Sequence, residues 1–600
     1  MTHGPSLGAL VAGGATHFRV WAPDADRVEA LIEGGGVHPL APSAGGYHEA
    51  VVPGVGPGAR YRLRVDGRGP FPDPASRAQP EGVHGPSMVI DPAAFAWTDA
   101  AWPGIALRDL VIYELHVGTF SPAGTFAGAA ALLPALRELG VTAIELMPLA
   151  DFPGRRSWGY DGVSPFAPAR CYGTPDDLRR LVDEAHQLGV GVLVDVVYNH
   201  LGPDGNHLAA FSPCYFTHRH QTPWGDAVNC DGEGSEGVRD FLAENALHWI
   251  REYHADGLRL DATHAIVDDS PRHVLQELSA RVRAEADRPA LIIAEDARNL
   301  AALIRPPGDG GMGLDAVWSD DFHHQVRARL AGDRDGYFAD FTGAVEPLAE
   351  TLRRGWLFTG QRSRSLGAPR GTDPAGLARE RFVFCVQNHD QVGNRAFGDR
   401  LHHAIDAAAW RAAVALLLLS PETPLLFQGQ EWAASTPFLY FTDHEPALGR
   451  LVTEGRRQEF GRFAAFADPA TRARIPDPQA DETFEASRLR WEERSREPHA
   501  SSLRLHQALL ALRRSALTHR FDRFDAAAAP PAGLLLRIGE LAGAVWLEGR
   551  GELEVSGVGT RVLLSTEDPA FASEPAPVEV VRSGSATRLR FDRPGALVLA

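Results

Sequence analysis

The chain has 600 residues, 44% of them hydrophobic, which is typical of a globular protein with a large core and more than one domain. Its formal net charge of -18 argues against a nucleic-acid partner, because nucleic acids are bound mainly by clusters of basic side chains. All 59 basic side chains are arginines, which excludes Schiff-base and P-loop mechanisms, since both need a lysine amine.

The first ninety residues predict a small antiparallel β-sandwich. In "THFRVWAP" and "ARYRLRVDG" apolar and polar residues alternate, so that Phe18 and Val20, and likewise Tyr61 and Leu63, share one face of a strand. Glycine- and proline-rich turns separate these strands. We assign residues 1–90 to an N-terminal β-sandwich domain.

From Leu110 onward, apolar runs such as "VGVLVDVVYNH" alternate with amphipathic stretches. One of these stretches, "PDDLRRLVDEAHQLG", predicts a helix that begins after Thr174 and ends at Gly189. Eight strand-helix units in about 330 residues predict a TIM (β/α)8 barrel, whose active site lies at the carboxyl ends of the strands. We assign residues 91–490 to this barrel, with long loop insertions.

The last part of the chain predicts a linking helix and a second antiparallel β-sandwich, over residues 491–600, because short alternating segments follow "AAAAPPAG". The chain has no apolar run of about 20 residues, so we expect no membrane span. The start lacks a secretory signal and the four cysteines lack CxxC spacing. We therefore expect reduced thiols and a cytoplasmic protein.

Three carboxylates follow three of the apolar runs. Asp261 ends the run in "DGLRLDATH", Glu295 follows "ALIIA", and Asp390 lies in "QNHDQ". Because the carboxyl ends of barrel strands form one face, we expect the three to converge. Arg259 shares a strand face with Asp261, since strand side chains alternate; a structural ion pair at a sheet edge is the alternative interpretation.

Two converging carboxylates are the minimum for cleaving a glycosidic bond with retention of configuration. Arg259 would keep Asp261 ionised, as a nucleophile requires, because a nearby cation lowers the pKa of an acid. The apolar run before Glu295 favours the neutral form that a proton donor requires. Asp390 and the adjacent His389 would hold sugar hydroxyls in the transition state.

Further polar and aromatic residues near the strand ends are candidates for sugar binding. His200 would donate another hydrogen bond, although a satisfied loop histidine is the alternative. Trp158 and Tyr160 lie in a glycine-rich loop where a ring could stack on a sugar, although such rings more often belong to the core. The histidine pairs at 323–324 and 402–403 lack further converging ligands, so we expect no metal and no cofactor.

Four short motifs occur in the order "DVVYNH", "GLRLDATH", "IIAED" and "QNHDQ". In this order they resemble the four motifs of the α-amylase superfamily of glycoside hydrolases. The resemblance implies that Asp261 is the nucleophile, Glu295 the acid/base and Asp390 the transition-state stabiliser. It also places four residues around the cleaved sugar: Asn199, His200, Arg259 and His389.

Other segments narrow the resemblance. "FRVWAPDADRVE" resembles the carbohydrate-binding-type sandwich of branching, debranching and trehalose-forming enzymes. "WSDDFHHQVRARLAGDRDGYFADF" and "GQEWAASTPFLYFTDH" are similar to the trehalose-releasing hydrolases of the superfamily, and that similarity covers nearly the whole chain. It implies hydrolysis of the α-1,4-glucosidic bond next to the terminal trehalose of maltooligosyl trehalose, within trehalose biosynthesis. The remaining predicted substrate-binding residues are His264, Asp321, His323, His324, Gln391 and Asn394.

Two alternatives stay open. A 1,4-α-glucan branching enzyme uses the same carboxylates but transfers the intermediate to a sugar hydroxyl, and a barrel without activity would only bind glycans. The expected partners are maltooligosyl trehalose and α-1,4-glucan oligosaccharides, with no nucleic acid and no membrane. We expect a monomer.

Overall fold

The computed structural model describes residues 6–459, 461, 463–583 and 586–600. The predicted domain limits therefore include a few residues outside the described part of the chain, namely 1–5, 460, 462, 584 and 585. The limits themselves, at 90/91 and 490/491, stay predictions. The three predicted architectures are confirmed: an N-terminal sandwich, a closed barrel and a C-terminal region of two sheets.

The N-terminal strands form one antiparallel sheet that folds over itself. The strands are β1 (Gly8–Ala12), β2 (Ala15–Trp21), β3 (Val28–Ile32), β4 (Gly36–Ser43), β5 (Tyr47–Pro53), β6 (Arg60–Val65), β7 (Arg68–Phe71) and β8 (Ser87–Met88). Their order is β1-β2-β5-β4-β3-β6-β7, and β8 pairs with β6. Phe18 on β2 meets Tyr61 on β6 edge to face, with ring centroids 4.9 Å apart, so the predicted apolar faces pack against each other.

Eight parallel strands close into a barrel, as predicted. The strands of this region, with two hairpins inserted between them, are β9 (Ile112–Leu115), β10 (Ala143–Leu146), β11 (Ala150–Asp151), β12 (Ser164–Pro168), β13 (Gly191–Val196), β14 (Phe216–Thr222), β15 (Gly225–Val228), β16 (Gly257–Leu260), β17 (Leu291–Ala294), β18 (Ala316–Trp318), β19 (Phe382–Cys385) and β20 (Thr423–Phe427). The barrel order is β10-β13-β16-β17-β18-β19-β20-β9, and the hairpins are β11-β12 and β14-β15.

Helices cover the barrel and extend its loops. They are α1 (Val117–Phe120), α2 (Phe126–Ala130), α3 (Leu133–Leu139), α4 (Pro175–Gln187), α5 (Leu208–Phe211), α6 (Ser235–Glu252), α7 (Val274–Glu285), α8 (Asp320–Leu330), α9 (Val345–Arg354), α10 (His389–Gly393), α11 (Leu401–Ala404), α12 (Ala407–Leu419), α13 (Pro446–Glu459), α14 (Ala464–Ala467), α15 (Pro469–Arg472), α16 (Asp481–Ala486) and α17 (His499–Leu512). The Thr174 hydroxyl caps α4 and Asp177 completes a capping box, as the predicted helix start requires.

The side chains inside the barrel change from apolar to charged between two successive layers, which are two residues apart along each strand. Ile112, Ala143 and Leu193 belong to a buried apolar layer. Side chains two residues further along a strand point the same way, so the next layer contains Glu114, Glu145, Asp195 and Arg259. Strand register pairs Glu114 with Glu145, and Asp195 with Arg259. The parallel register thus brings charged side chains together directly beneath the carboxyl ends of the strands.

The C-terminal region packs two antiparallel sheets against each other. Its strands are β21 (Phe524–Ala529), β22 (Gly533–Ile538), β23 (Leu541–Trp546), β24 (Gly551–Ser556), β25 (Val562–Ser565), β26 (Glu579–Ser583), β27 (Ala586–Phe591) and β28 (Gly595–Leu599). The sheets have the orders β21-β22-β23-β28-β25 and β24-β27-β26. Trp546, Leu553 and Leu589 lie in the apolar cluster that both sheets share. Within the described ranges, no helix is both long enough and apolar enough to cross a membrane.

A buried ion pair connects the barrel to the C-terminal sheets. Arg411 on α12 donates three hydrogen bonds of 2.7–2.9 Å to Glu567, whose side chain is 1% exposed. We predict that Arg411→Ala lowers the free energy of unfolding by about 3 kcal/mol, because the buried Glu567 carboxylate then keeps only the longer contact of 3.6 Å to Arg593. Arg590→Ala, which removes an exposed partner of Glu552, should change it by less than about 0.5 kcal/mol. Urea unfolding checks both; equal losses would contradict the prediction.

Candidate active site

The centre of the site is the guanidinium of Arg259, which is fully buried on β16. Its Nη1 donates to both oxygens of Asp195, at 3.0 and 2.9 Å, and to Oδ1 of Asp261 at 2.7 Å. Its Nη2 lies 3.5 Å from Oε2 of Glu295. The group also lies 4.4 Å from the ring centre of Trp318. One cation therefore contacts three carboxyl groups, and the expected convergence of Asp261 and Glu295 is observed.

Asp261 is surrounded by donors. Besides Arg259, Nδ2 of Asn199 donates to its Oδ2 at 2.7 Å. Burial alone would raise the pKa of Asp261, but Arg259, His200 and the Asn199 hydrogen bond outweigh it and hold the pKa below its ordinary value. Asp261 is therefore a carboxylate at neutral pH.

Glu295 has the opposite protonation behaviour. Its Oε2 accepts a 2.5 Å hydrogen bond from the backbone N–H of Ala262. Burial raises the pKa of Glu295 to about 8 against the opposing effect of Arg259, and repulsion from Asp261 and Asp390 contributes to the rise. Ala262 has a positive φ of 39°, a strained conformation that directs its N–H toward this carboxyl. Glu295 is therefore a carboxylic acid at neutral pH.

Asp390 and His389 lie at the start of α10, beyond β19. Nε2 of His389 is 3.4 Å from Oδ1 of Asp390 and 2.7 Å from the Tyr160 hydroxyl. Tyr160 is half-buried, stacks on His389, and donates a 2.8 Å hydrogen bond to Asp195. Asn394 donates to Oδ1 of Asp390 at 3.2 Å. The predicted third carboxylate thus lies in the same cluster, and its side chain is 35% exposed.

His200 and His264 border the cluster on the side of the β14-β15 hairpin and β16. Nε2 of His200 hydrogen-bonds the Tyr160 carbonyl at 2.9 Å, and burial lowers its pKa. Trp224, at the hairpin tip, stacks on the His200 ring at 4.4 Å and is half exposed. His264 is exposed, three residues after Asp261.

Three predicted substrate-binding residues have buried rings. Trp158 is 4% exposed, stacks on Phe438 and donates to the Leu439 carbonyl. His323 and His324 are 1% and 5% exposed and hydrogen-bond each other at 3.0 Å. Their contact with substrate stays a prediction.

Asp321 is a fourth buried residue among those predicted to bind substrate. It is fully buried, and its oxygens accept from Arg370, Asn299 and two backbone N–H groups at 2.8–3.2 Å. Its contact with a sugar hydroxyl stays a prediction. The preceding Asp320 instead faces Glu295 and Asp390, and burial together with Asp390 raises its pKa to about 6 although Arg370 opposes the rise.

Asn394 lines a cavity of about 410 Å³, together with Tyr337, Phe397 and other aromatic residues. Gln391 is 9% exposed and accepts a 3.2 Å hydrogen bond from the Tyr337 hydroxyl. Asn394 is therefore next to open space, and Gln391 contacts a residue that lines the same cavity.

One group of side chains has the composition of a metal site among the residues that the structure describes. His220, Asp231 and Asp269 place ligand atoms within 4.8 Å of one another. Asp231 already accepts from Arg219 and from the Asp269 backbone, and Asp269 is exposed. The absence of a metal from the chemistry stays a prediction.

The sequence interpretation missed two site residues. Asp195 is the second partner of Arg259. It is a charged residue inside the apolar run "VLVDVV" and shares a strand face with Leu193, and this pattern indicates a charged group inside the barrel. Trp224 had no such signal, because the turn of a hairpin in a long insertion carries no periodicity that relates it to a site.

Comparison with known proteins agrees with this geometry. The chain matches the family model described as alpha amylase, catalytic domain, over residues 89–212, and the model described as carbohydrate-binding module 48 (isoamylase N-terminal domain) over residues 6–94. The malto-oligosyltrehalose trehalohydrolase of Deinococcus radiodurans is 47% identical over 93% of this chain and 89% of its own length. This chain belongs to the malto-oligosyltrehalose trehalohydrolase family. Seven curated relatives with that name are 41% to 47% identical.

More distant similarities agree with the family's place in the α-amylase group. A 1,4-alpha-glucan branching enzyme of Corynebacterium jeikeium is 31% identical over 71% of this chain and 62% of its own length. A solved structure of a putative alpha amylase from Salmonella typhimurium superposes with a TM-score of 0.89 and 36% identity, over 100% of both chains.

The neighbours Asp320 and Asp321 provide a matched pair of variants. We predict that Asp321→Asn lowers the free energy of unfolding by about 3 kcal/mol at pH 8, because Arg370 loses its buried partner. Asp320→Asn should be neutral or stabilising by about 1 kcal/mol at that pH, since above its raised pKa the ionised form of Asp320 destabilises the fold. Thermal unfolding of both variants checks this. Equal destabilisation would show that Asp321 is not the structural member of the pair.

Proposed function

We propose that this chain is a retaining glycoside hydrolase that cleaves the α-1,4-glucosidic bond next to the terminal trehalose of maltooligosyl trehalose. The products are trehalose and a shortened maltooligosaccharide. The observation that carries the proposal is the contact of Arg259 with both Asp261 and Glu295. The pKa of Asp261 is lowered and that of Glu295 is raised to about 8, which favours one ionised and one protonated acid at neutral pH. A retaining mechanism needs such a pair. The choice of substrate is supported by family membership.

In the first step Glu295 donates its proton to the glycosidic oxygen while an Asp261 oxygen attacks the anomeric carbon. The C–O bond to the trehalose unit breaks, and a glycosyl ester forms on Asp261. In the second step Glu295, now ionised, takes a proton from water, whose oxygen attacks the same carbon. The ester bond breaks, which regenerates the carboxylate of Asp261 and the acid form of Glu295.

Asp390 and His389 are placed to bind hydroxyls of the sugar whose anomeric carbon reacts. Their hydrogen bonds would tighten as the ring flattens, and such contacts contribute several kcal/mol in this chemistry. The half-buried ring of Tyr160 would contact the same sugar. His200, which lies near Asp261, would donate a hydrogen bond to it. We propose Gln391, Asn394 and the exposed His264 as further binding residues.

The wider assignments are also proposals. We propose three domains with the limits given above, action as a monomer on α-1,4-glucan oligosaccharides, and a role in trehalose biosynthesis. A cytoplasmic location is supported by the four cysteines, all of which are free thiols.

Product analysis tests the specificity. Purified protein given maltooligosyl trehalose should release trehalose, and Glu295→Gln should lower turnover at least 1,000-fold without loss of glucan affinity, because it removes the proton donor and keeps the shape. Release of glucose or maltose alone would contradict the substrate assignment. Branches formed in amylose with few new reducing ends would favour the branching-enzyme alternative.

The pH profile of kcat/KM tests the protonation states. Asp261 has a lowered pKa and acts ionised, so activity should fall only below about pH 4, the ordinary range of aspartate. Glu295 acts protonated, so activity should fall as the pH rises through about 8. Asn199→Ala removes a donor to Asp261 and should move the acidic limb to higher pH while the alkaline limb stays. An alkaline limb below pH 6 would contradict the assignment of Glu295.

A further inference from the structure

Glu114 forms two contacts with His389. It lies on β9, is 1% exposed, and accepts the backbone N–H of His389 on Oε2 at 2.9 Å. Its other oxygen, Oε1, contacts Nδ1 of the same residue. Its two contacts fix both the start of α10 and the ring of His389.

The hydrogen bonds around His389 determine where its protons are. A carboxylate only accepts, so Nδ1 must carry the proton shared with Glu114. The Tyr160 hydroxyl has one proton and donates it to Asp195 at 2.8 Å, so its oxygen accepts from Nε2 of His389 at 2.7 Å. Asp195 also accepts from Arg259 on both oxygens, and these donors favour its carboxylate form although burial raises its pKa to about 7. Both ring nitrogens of His389 are therefore donors.

We propose that Glu114 is a positioning residue that holds His389 as an imidazolium cation, with its Nε2–H directed at Tyr160 and Asp390. The inference rests on the proposed function, because the cation would act on the sugar bound at Asp390. A neutral His389 could leave Nε2 without a proton and place a lone pair against the Asp390 carboxylate. Glu114 thus stabilises the form of His389 in which Nε2 carries a proton and donates a hydrogen bond.

The charges that face His389 support the same conclusion. Burial lowers its pKa, but Glu114 is the largest opposing influence and Asp390 the next, so that the pKa rises to about 9 although Arg259 opposes the rise. The other titratable groups that face the ring are Asp195, Glu145, His116 and Tyr160. Without Glu114, burial and Arg259 would favour the neutral ring.

Glu145 provides a matched control for Glu114. It is the register partner of Glu114 on β10 and is equally buried, at 1% exposed. Its oxygens have no hydrogen-bond partner among the described residues, and burial raises its pKa well above the ordinary value, so it is a neutral acid. Replacement by glutamine leaves its charge unchanged.

The experiment compares the pH profiles of Glu114→Gln, Glu145→Gln and the unmodified protein. Glu114→Gln should lower kcat for maltooligosyl trehalose about 10- to 100-fold at pH 7.5, the range for loss of a charged hydrogen-bond partner, with KM changed less than about threefold. The deficit should shrink as the pH falls to 5, because His389 then regains its proton from solvent. Glu145→Gln should behave as the unmodified protein does. A deficit that is independent of pH, or no deficit, would overturn the proposal.

Nitrogen-15 spectra of histidine-labelled protein give a readout that does not depend on activity or on the folding of the glutamine variant. The signals missing from His389→Asn identify His389. At pH 7.5 both of its nitrogens should have imidazolium shifts in the unmodified protein. A neutral shift for either nitrogen would overturn the proposal, even if trehalose is released. Imidazolium shifts without trehalose release would instead contradict the proposed function.

Discussion

The structure depends on one buried guanidinium. Arg259 contacts Asp195, Asp261 and Glu295 inside the barrel. A buried cation is stable only when good geometry and hydrogen bonds offset its loss of solvent, and the parallel register supplies that geometry by placing Asp195 beside it. The Nη1 nitrogen makes the hydrogen bonds to Asp195 and Asp261, and Nη2 lies 3.5 Å from Glu295, so the planar guanidinium faces both acids of the proposed reaction.

This constraint explains how two neighbouring acids have opposite protonation states. Asp261 has the short contact to Arg259 and a second donor in Asn199, whereas Glu295 is further from the cation and is repelled by two carboxylates. The difference between their pKa values arises from the distance of each acid to Arg259 and from the number of hydrogen-bond donors around each acid. It does not require a special residue type at either position. The protonation states of the two acids therefore depend on the charged groups around them, and above all on Arg259.

The sequence predicts most of the fold and the acids of the site. Eight apolar runs and the alternation in strands identify the barrel and its carboxyl face, and the face shared by Arg259 and Asp261 follows from strand geometry. It does not separate Asp320 from Asp321, because adjacent residues at a helix start look alike until packing turns one inward. The burial of the histidines at 323–324 does not follow from the sequence for the same reason: polarity near a strand end indicates proximity to the site, and packing decides how much of a ring is exposed.

Covalent trapping tests the central claim that Arg259 holds Asp261 as the nucleophile. A 5-fluoroglucosyl fluoride slows the second step more than the first and should leave the sugar attached as an ester. Mass spectrometry of the digested protein should then find the label on the peptide that contains Asp261, and Glu295→Gln should still accept it, because fluoride leaves without a proton donor. A label on Glu295 or Asp390 would contradict the account.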